Sequence, residues 1–254
     1  MKTVFGVFLF FVFLAAGTTR SEVLSVADVS NDYRLYITAW HADIEVVPVS
    51  INTITVTYSC ERGSGEQPGA DESGLRVVSS EGSLPELRKS DDKVTVHVAE
   101  QAGQCRMTIA APPALETLVR INQTGSLDIQ DWLGALTAWS AGGDVSLSRQ
   151  LGAFSVTAMN GNASIEFVGR SLDADSAATA ANGLVTLSLP NEPALTVRAQ
   201  ARWGEVLTDL DANFTRETDD QSSWSVARLG GGGAVVTLRN LNSDIVITRN
   251  AVAD

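Results

Sequence analysis

The chain has only two histidines and two cysteines in 254 residues, and aromatic side chains make up 6% of it. With only His41 and His97 present, a multi-histidine metal site or a conventional serine or cysteine triad is poorly supplied. His97 sits in "VTVHV", where Val94, Val96 and Val98 share one face, so it is expected as an exposed strand histidine. GxSxG, HExxH and phosphate-loop motifs are all missing. "LGGGG" at 229–233 lacks the lysine and hydroxyl residue that a phosphate loop requires, and it reads as a connector before the last strands. Positive charge is scarce too: 18 Lys and Arg stand against 30 Asp and Glu, a formal charge of −12, which excludes a nucleic-acid partner. No cofactor is implied.

Long apolar runs are absent after residue 16. The one run present, Val4 to Ala16, follows Lys2 and precedes small and polar residues from Gly17 to Ser21. Its 13 residues fall short of the ~20 that span a bilayer as a helix, so residues 1–21 are expected to be a cleaved export signal. The mature chain then has no transmembrane anchor and a charge near −14, and it works outside the cytoplasm, in the periplasm or at the cell surface. In that oxidising setting Cys60 and Cys105 are expected to form a disulfide. Closing a loop of this length stabilises a fold by about 3–4 kcal/mol in the chain-entropy reckoning.

Helical periodicity and capping boxes are likewise missing, and β-branched residues cluster in alternating runs at 35–49, 52–60, 93–99 and 105–112. From Leu118 onward a repeat takes over. Glycines fall at 125, 143, 161, 183 and 204, with intervals of 18, 18, 22 and 21. After the first four, the second and fourth residues are apolar or small: Leu127 and Ile129, Val145 and Leu147, Ala163 and Ile165, Val185 and Leu187. Leu118, Leu136, Phe154 and Val197 stand seven residues before a glycine and mark an incoming strand. In the longest unit Ser176 takes that place, and "DADSAATA" (173–180) is expected to hold a bulge or loop. "LGAL" (133–136) and "LGAF" (151–154) repeat at the same 18-residue spacing, and "NSDIVI" (242–247) is a last copy with Ser243 at the glycine position.

Alternation places one set of side chains inward, and Gly125, Gly143, Gly161, Gly183 and Gly204 are expected as corners that allow a positive φ or a tight bend. A two-strand unit cannot bury its apolar face alone, whereas stacking successive units does so continuously. The fold class expected is all-β: a parallel β-solenoid with rungs of about 18–22 residues. An antiparallel sandwich of hairpins shares the glycine turns and is the alternative.

The stretch "MTIAAPPALETLVRINQTGSLDIQDWLGALTAWSAGGDVSLSRQLGAFSVTAMNGNASIEF", with "NGLVTLSLPNEPALTVRAQARWGEVL" and "LGGGGAVVTLRNLNSDIVITRN", resembles the DUF4097 family of bacterial adhesin-like proteins and its head-domain relatives. The resemblance runs over roughly residues 35–250. It implies a β-solenoid-like repeat domain that is extracytoplasmic or membrane-associated, sometimes tied to envelope-stress responses. It implies no reaction and no catalytic residues. The membrane segments of some members are missing here.

Residues 22–112 read as an irregular β portion capping the solenoid of 113–250, with glycine- and charge-rich surface loops at 61–74 and 79–92. A further interruption at 209–223 opens with Asp209, Asp211 and Asn213, the first spacing of a calcium-binding EF-hand. Phe214 and Asp220 occupy the positions of the required glycine and glutamate, so it reads as a solvated acidic loop. The first outward residues after the corners are Ser126, Asp144, Asn162, Leu184 and Glu205. Among them Asp144 lies about 8 Å from Asp128 at standard strand spacings, a separation compatible with an inverting glycosidase pair. Of the indoles at 40, 132, 139, 203 and 224, Trp139 is the one expected to face outward and to offer a sugar-stacking surface. Asn122, Asn162 and Asn213 open N-x-Ser/Thr sequons. The functional expectation is an exported, non-enzymatic adhesin-like module that binds a protein or glycan of the cell envelope. The alternative is a polysaccharide-active β-helix enzyme.

Overall fold

The computed structural model describes residues 19–61, 84–218 and 222–250. The predicted export signal up to residue 18 and most of the two predicted surface loops, 62–83, lie outside the described residues. Alternating β-branched and apolar residues form strands throughout. The first six are β1 (Thr19–Ala27), β2 (Arg34–Pro48), β3 (Thr53–Glu61), β4 (Glu86–Lys89), β5 (Lys93–Val98) and β6 (Cys105–Ala111). Next come pairs: β7 (Glu116–Thr124) with β8 (Leu127–Gln130), β9 (Leu136–Gly142) with β10 (Val145–Gln150), and β11 (Phe154–Ala158) with β12 (Ala163–Phe167). They continue as β13 (Ser176–Ala180) with β14 (Val185–Leu189), and β15 (Leu195–Ala201) with β16 (Val206–Thr208). β17 (Thr215–Thr218) and β18 (Ser223–Leu229) intervene before β19 (Val235–Asn240) with β20 (Ile245–Arg249).

Each pair is one rung, with a strand in each of two facing walls. The front wall runs β6, β2, β8, β10, β12, β14, β20, β16, all parallel. The back wall runs β5, β2, β7, β9, β11, β13, β19, β15, also parallel. The long strand β2 serves both. Val145 lies between Leu127 and Ala163, one repeat away on either side, so successive units stack in register and the hairpin sandwich is excluded. Antiparallel strands finish the ends: β3 and β1 beyond β6, β4 beyond β5, and β18 and β17 beyond β15.

Rung order departs from chain order at both ends. β2 lies between the rung of β5 and β6 and the rung of β7 and β8, so the portion expected as a cap shares both walls with the repeats. At the other end the chain skips a place after β14, builds β15 and β16, and turns outward through β17 and β18. It then returns through Gly230–Gly233, all with positive φ, to fill the vacant place with β19 and β20.

The inward column Leu127, Val145, Ala163, Val185 and Ile245 is buried throughout, and burying a large aliphatic side chain contributes about 1.5–3 kcal/mol. Two expectations change. Ser176–Ala180 is a regular strand: small side chains suffice because Ser176 lies in the row of Phe154, and its Oγ accepts the Phe154 N–H at 3.0 Å. Leu118 points outward, and Thr117 fills the inward place beside Leu136, because an irregularity between Ile121 and Thr124 inserts a residue before the corner. The predicted loops at 79–92 and 209–223 contain β4 and β17.

Candidate functional site

The corner between the walls is built by close approach more than by unusual torsion. Of the five corner glycines only Gly125 has a positive φ, 138°. The others are needed because a Cβ would strike the rung beneath: at Gly143 it would lie 2.0 Å from the Gly125 carbonyl oxygen, at Gly161 2.2 Å from that of Gly143, and at Gly183 2.1 Å from that of Gly161. Gly204 abuts Ser243, which confirms Ser243 as a corner and places its rung below that of Gly204. Gly134 and Gly152, from the repeated "LGA", form a second such column at the opposite turn.

The residues just after the corners have a structural duty. Asp43 Oδ1 accepts the Ser126 N–H at 2.9 Å, Asp144 Oδ1 that of Asn162 at 2.7 Å, Asn162 Oδ1 that of Leu184 at 2.8 Å, and Asp244 Oδ1 that of Glu205 at 2.8 Å. Each satisfies a backbone donor of the next rung where the chain bends away from the ladder. Just before the corners, Asn242 Nδ2 donates to Asn182 Oδ1 and Asn182 Nδ2 to Asn160 Oδ1, both at 2.7 Å. This asparagine ladder was readable from the residue preceding Gly161, Gly183 and Ser243. Burial pushes the Asp43 carboxyl up, but hydrogen bonds from the Ser126 N–H and hydroxyl, with Gln104 and the Arg106 charge, outweigh it and hold the group below its ordinary value. At the far turn Asp131 and Arg149, both at positive φ on adjacent rungs, form an ion pair; hydrogen bonding from Arg149 keeps the Asp131 carboxyl low.

The acids proposed from sequence as a pair are not side by side. Asp144 is committed to the Asn162 N–H, and Asp128 stands in register with Ser146 on one side and Glu45 on the other. Its immediate acidic neighbour is thus Glu45, a contact that sequence reasoning missed because 83 residues separate the two. Asp209 Oδ1 accepts the Arg249 N–H, while Asp211 and Asn213 line a cleft of about 520 Å³ with Arg170 and Arg228; Asp220 lies outside the described residues. Among the described residues no three His, Cys, Asp or Glu side chains cluster as metal ligands. His41 Nδ1 is 2.9 Å from Thr124 Oγ1, and His97 is exposed. Cys60 and Cys105 are joined by a disulfide between the neighbouring strands β3 and β6. No helix among the described residues is long and apolar enough to cross a membrane.

Outward side chains differ in charge balance between the walls. On the front wall Asp43, Glu45, Asp128 and Glu166 stand with Arg106, Arg149 and Arg249, and the Arg149 N–H donates to Glu166 Oε2. On the back wall the cations include Arg34, Arg88, Lys93, Arg120, Arg198, Arg228 and Arg239, against Glu86, Glu116 and Glu217. Trp139 faces outward here, half-buried, with the Arg120 guanidinium 4.7 Å from its ring centre. Trp224, only 4% exposed, carries two, Arg198 at 4.6 Å and Arg239 at 5.0 Å. Trp132 is fully buried with its indole N–H on the Leu115 carbonyl, whereas Trp203 at a corner is 74% exposed.

No family model matches the chain, and no curated protein matches it. Among solved structures, the chain is similar to a candidate cell adhesion protein from Clostridium sporogenes, at 10% identity and a TM-score of 0.43, covering 91% of this chain and 100% of that one. It is also similar to a candidate adhesin from Bacteroides fragilis, at 11% identity and a TM-score of 0.41, covering 91% of this chain and 97% of that one. A candidate adhesin from Parabacteroides distasonis is similar at 11% identity and a TM-score of 0.26, covering 92% and 98%. These likenesses are loose, and the architecture of this chain rests on its strand registers.

Proposed function

We propose that the chain is an extracytoplasmic, non-enzymatic adhesin-like module that binds a component of the cell envelope through the outer faces of its walls. The observation that carries this reading is the division of labour among polar side chains. Those at the corners and the far turn are engaged in holding rung to rung, while the walls between them present continuous outward faces, with acids and cations mixed on the front and cations in excess on the back. A surface of that kind suits contact over area. The disulfide suits an oxidising compartment, and the resemblance of the sequence to the DUF4097 family points the same way.

The test is co-sedimentation of the purified mature chain with intact cells and with isolated envelope of the organism that encodes it. Saturable retention above an inert acidic protein of similar charge is expected. Absence of retention contradicts the reading, as does turnover of an envelope polysaccharide that Asp128→Asn and Asp144→Asn abolish.

A further inference from the structure

The back wall carries a linear track. One outward column crosses six strands as Arg120, Trp139, Thr157, Thr179, Arg239 and Gln200, each in register with the next, and Trp224 of β18 packs at its end against Arg198 and Arg239. A cation lies on an indole at either end. Arg120 and Arg239 stand four strands apart, about 19 Å at ~4.8 Å per strand. Neither they nor Arg198 has a carboxylate partner among the described residues, whereas Arg34 is paired with Glu116 and Arg88 with Glu86. Arg198 Nε is buried and finds no acceptor among the described residues.

We infer that this track binds an anionic polysaccharide laid along the stack, its carboxylate or sulfate groups meeting Arg120 at one end and Arg198 with Arg239 at the other. The inference deepens the adhesin reading and rests on it. Guanidiniums held flat against indoles keep their outer N–H groups directed to an anion and lose little freedom on binding. The formal −12 of the chain does not forbid this. The acids of the front wall project from the opposite face, more than one sheet spacing of about 10 Å away, and the back-wall acid Glu217 lies only at the end of the track, in register with Trp224. A polymer is required because a small anion cannot reach both ends. A glycan is favoured over an acidic protein by the middle of the track: Thr157 and Thr179, beside Ser155 and Ala177, offer hydroxyls for sugar hydroxyls and no pocket for the large side chain that anchors a protein interface.

The experiment measures binding of the mature chain to immobilised polygalacturonate and dextran sulfate, with plain dextran as the neutral control and poly-glutamate as the acidic-peptide control. Binding to either charged glycan, falling steeply between low and physiological salt and absent on plain dextran, is expected. The triple variant Arg120→Gln, Arg198→Gln, Arg239→Gln should weaken it by about tenfold or more, since charge-assisted contacts are lost. Arg198 and Arg239 also cover Trp224, so Arg120→Gln alone serves as the second variant; its melting temperature should match the wild type and its binding should fall several-fold. Glu45→Gln on the front wall should leave binding unchanged. Equal binding by both back-wall variants overturns the assignment, as does equal retention on plain dextran or tighter binding to poly-glutamate. Retention on cells without binding to either charged glycan overturns this inference and leaves the adhesin reading standing. Glycan binding without retention on cells does the reverse.

Discussion

The two walls share one backbone plan yet use their polar residues differently. At the front edge, Asp43, Asp144, Asn162 and Asp244 give an oxygen to the backbone of the next rung. On the back, Arg120, Arg198 and Arg239 touch indoles and, among the described residues, no carboxylate. An acidic residue in a solenoid is therefore not a functional candidate until its backbone obligations have been counted. A cation without such obligations on the opposite face is the better lead.

If that contrast is sound, substitutions at the corner should cost stability and substitutions on the back wall should not. The largest effect is expected at Gly143→Val, where the new side chain meets the Gly125 backbone at 2.0 Å with nothing able to give way. Urea denaturation should show a loss of at least about 3 kcal/mol, or no folded protein. Replacing Cys60 and Cys105 by serine should lower stability by about 2–4 kcal/mol in the same assay. Asp43→Ala should cost about 1–2 kcal/mol and Asp43→Asn less, because the amide oxygen still accepts the Ser126 N–H. Folding holds the Asp43 carboxyl below its unfolded value of about 3.9, so its contribution is complete above that pH and is lost as the pH falls through the lower folded value. Denaturation of wild type and Asp43→Asn from pH 6 down to pH 2 should therefore converge. The smallest effect is expected for Arg120→Gln, within about 1 kcal/mol of wild type, since an exposed cation–π contact is worth little to the fold.

The stack itself was legible because Leu127, Val145, Ala163 and Val185 recur after glycines at near-constant spacing, and inward burial with close backbone approach leaves few residue choices at those places. Rung order was not legible. Ser243 marks a corner, but nothing local says whether its rung follows that of Gly204 or precedes it, because neighbouring slots present the same inward pattern. The outward reversal at Leu118 was hidden for a similar reason: one extra residue before Gly125 shifts the strand by one, and a spacing counted from the glycine assigns the wrong face. The back-wall track was invisible because its members come from seven strands spread over residues 120–239, with an outward alternation that matches any exposed strand. The corner oxygens were seen as acids and amides, but their partners emerge only once the rungs are aligned.

Both walls and every column depend on the last-made rung occupying the gap between β14 and β16, and cysteine pairing tests this directly. Thr186 and Val246 are in register on adjacent strands, about 4.8 Å apart at Cα, within the range a disulfide bridges, whereas Thr186 and Leu207 are separated by two strands, about 9.6 Å. Under mild oxidation, with peptide mapping as the readout, Thr186→Cys with Val246→Cys should cross-link efficiently and Thr186→Cys with Leu207→Cys should not. The reverse result would mean that the rungs stack in chain order, and the back-wall column joining Thr179 to Arg239 would not exist.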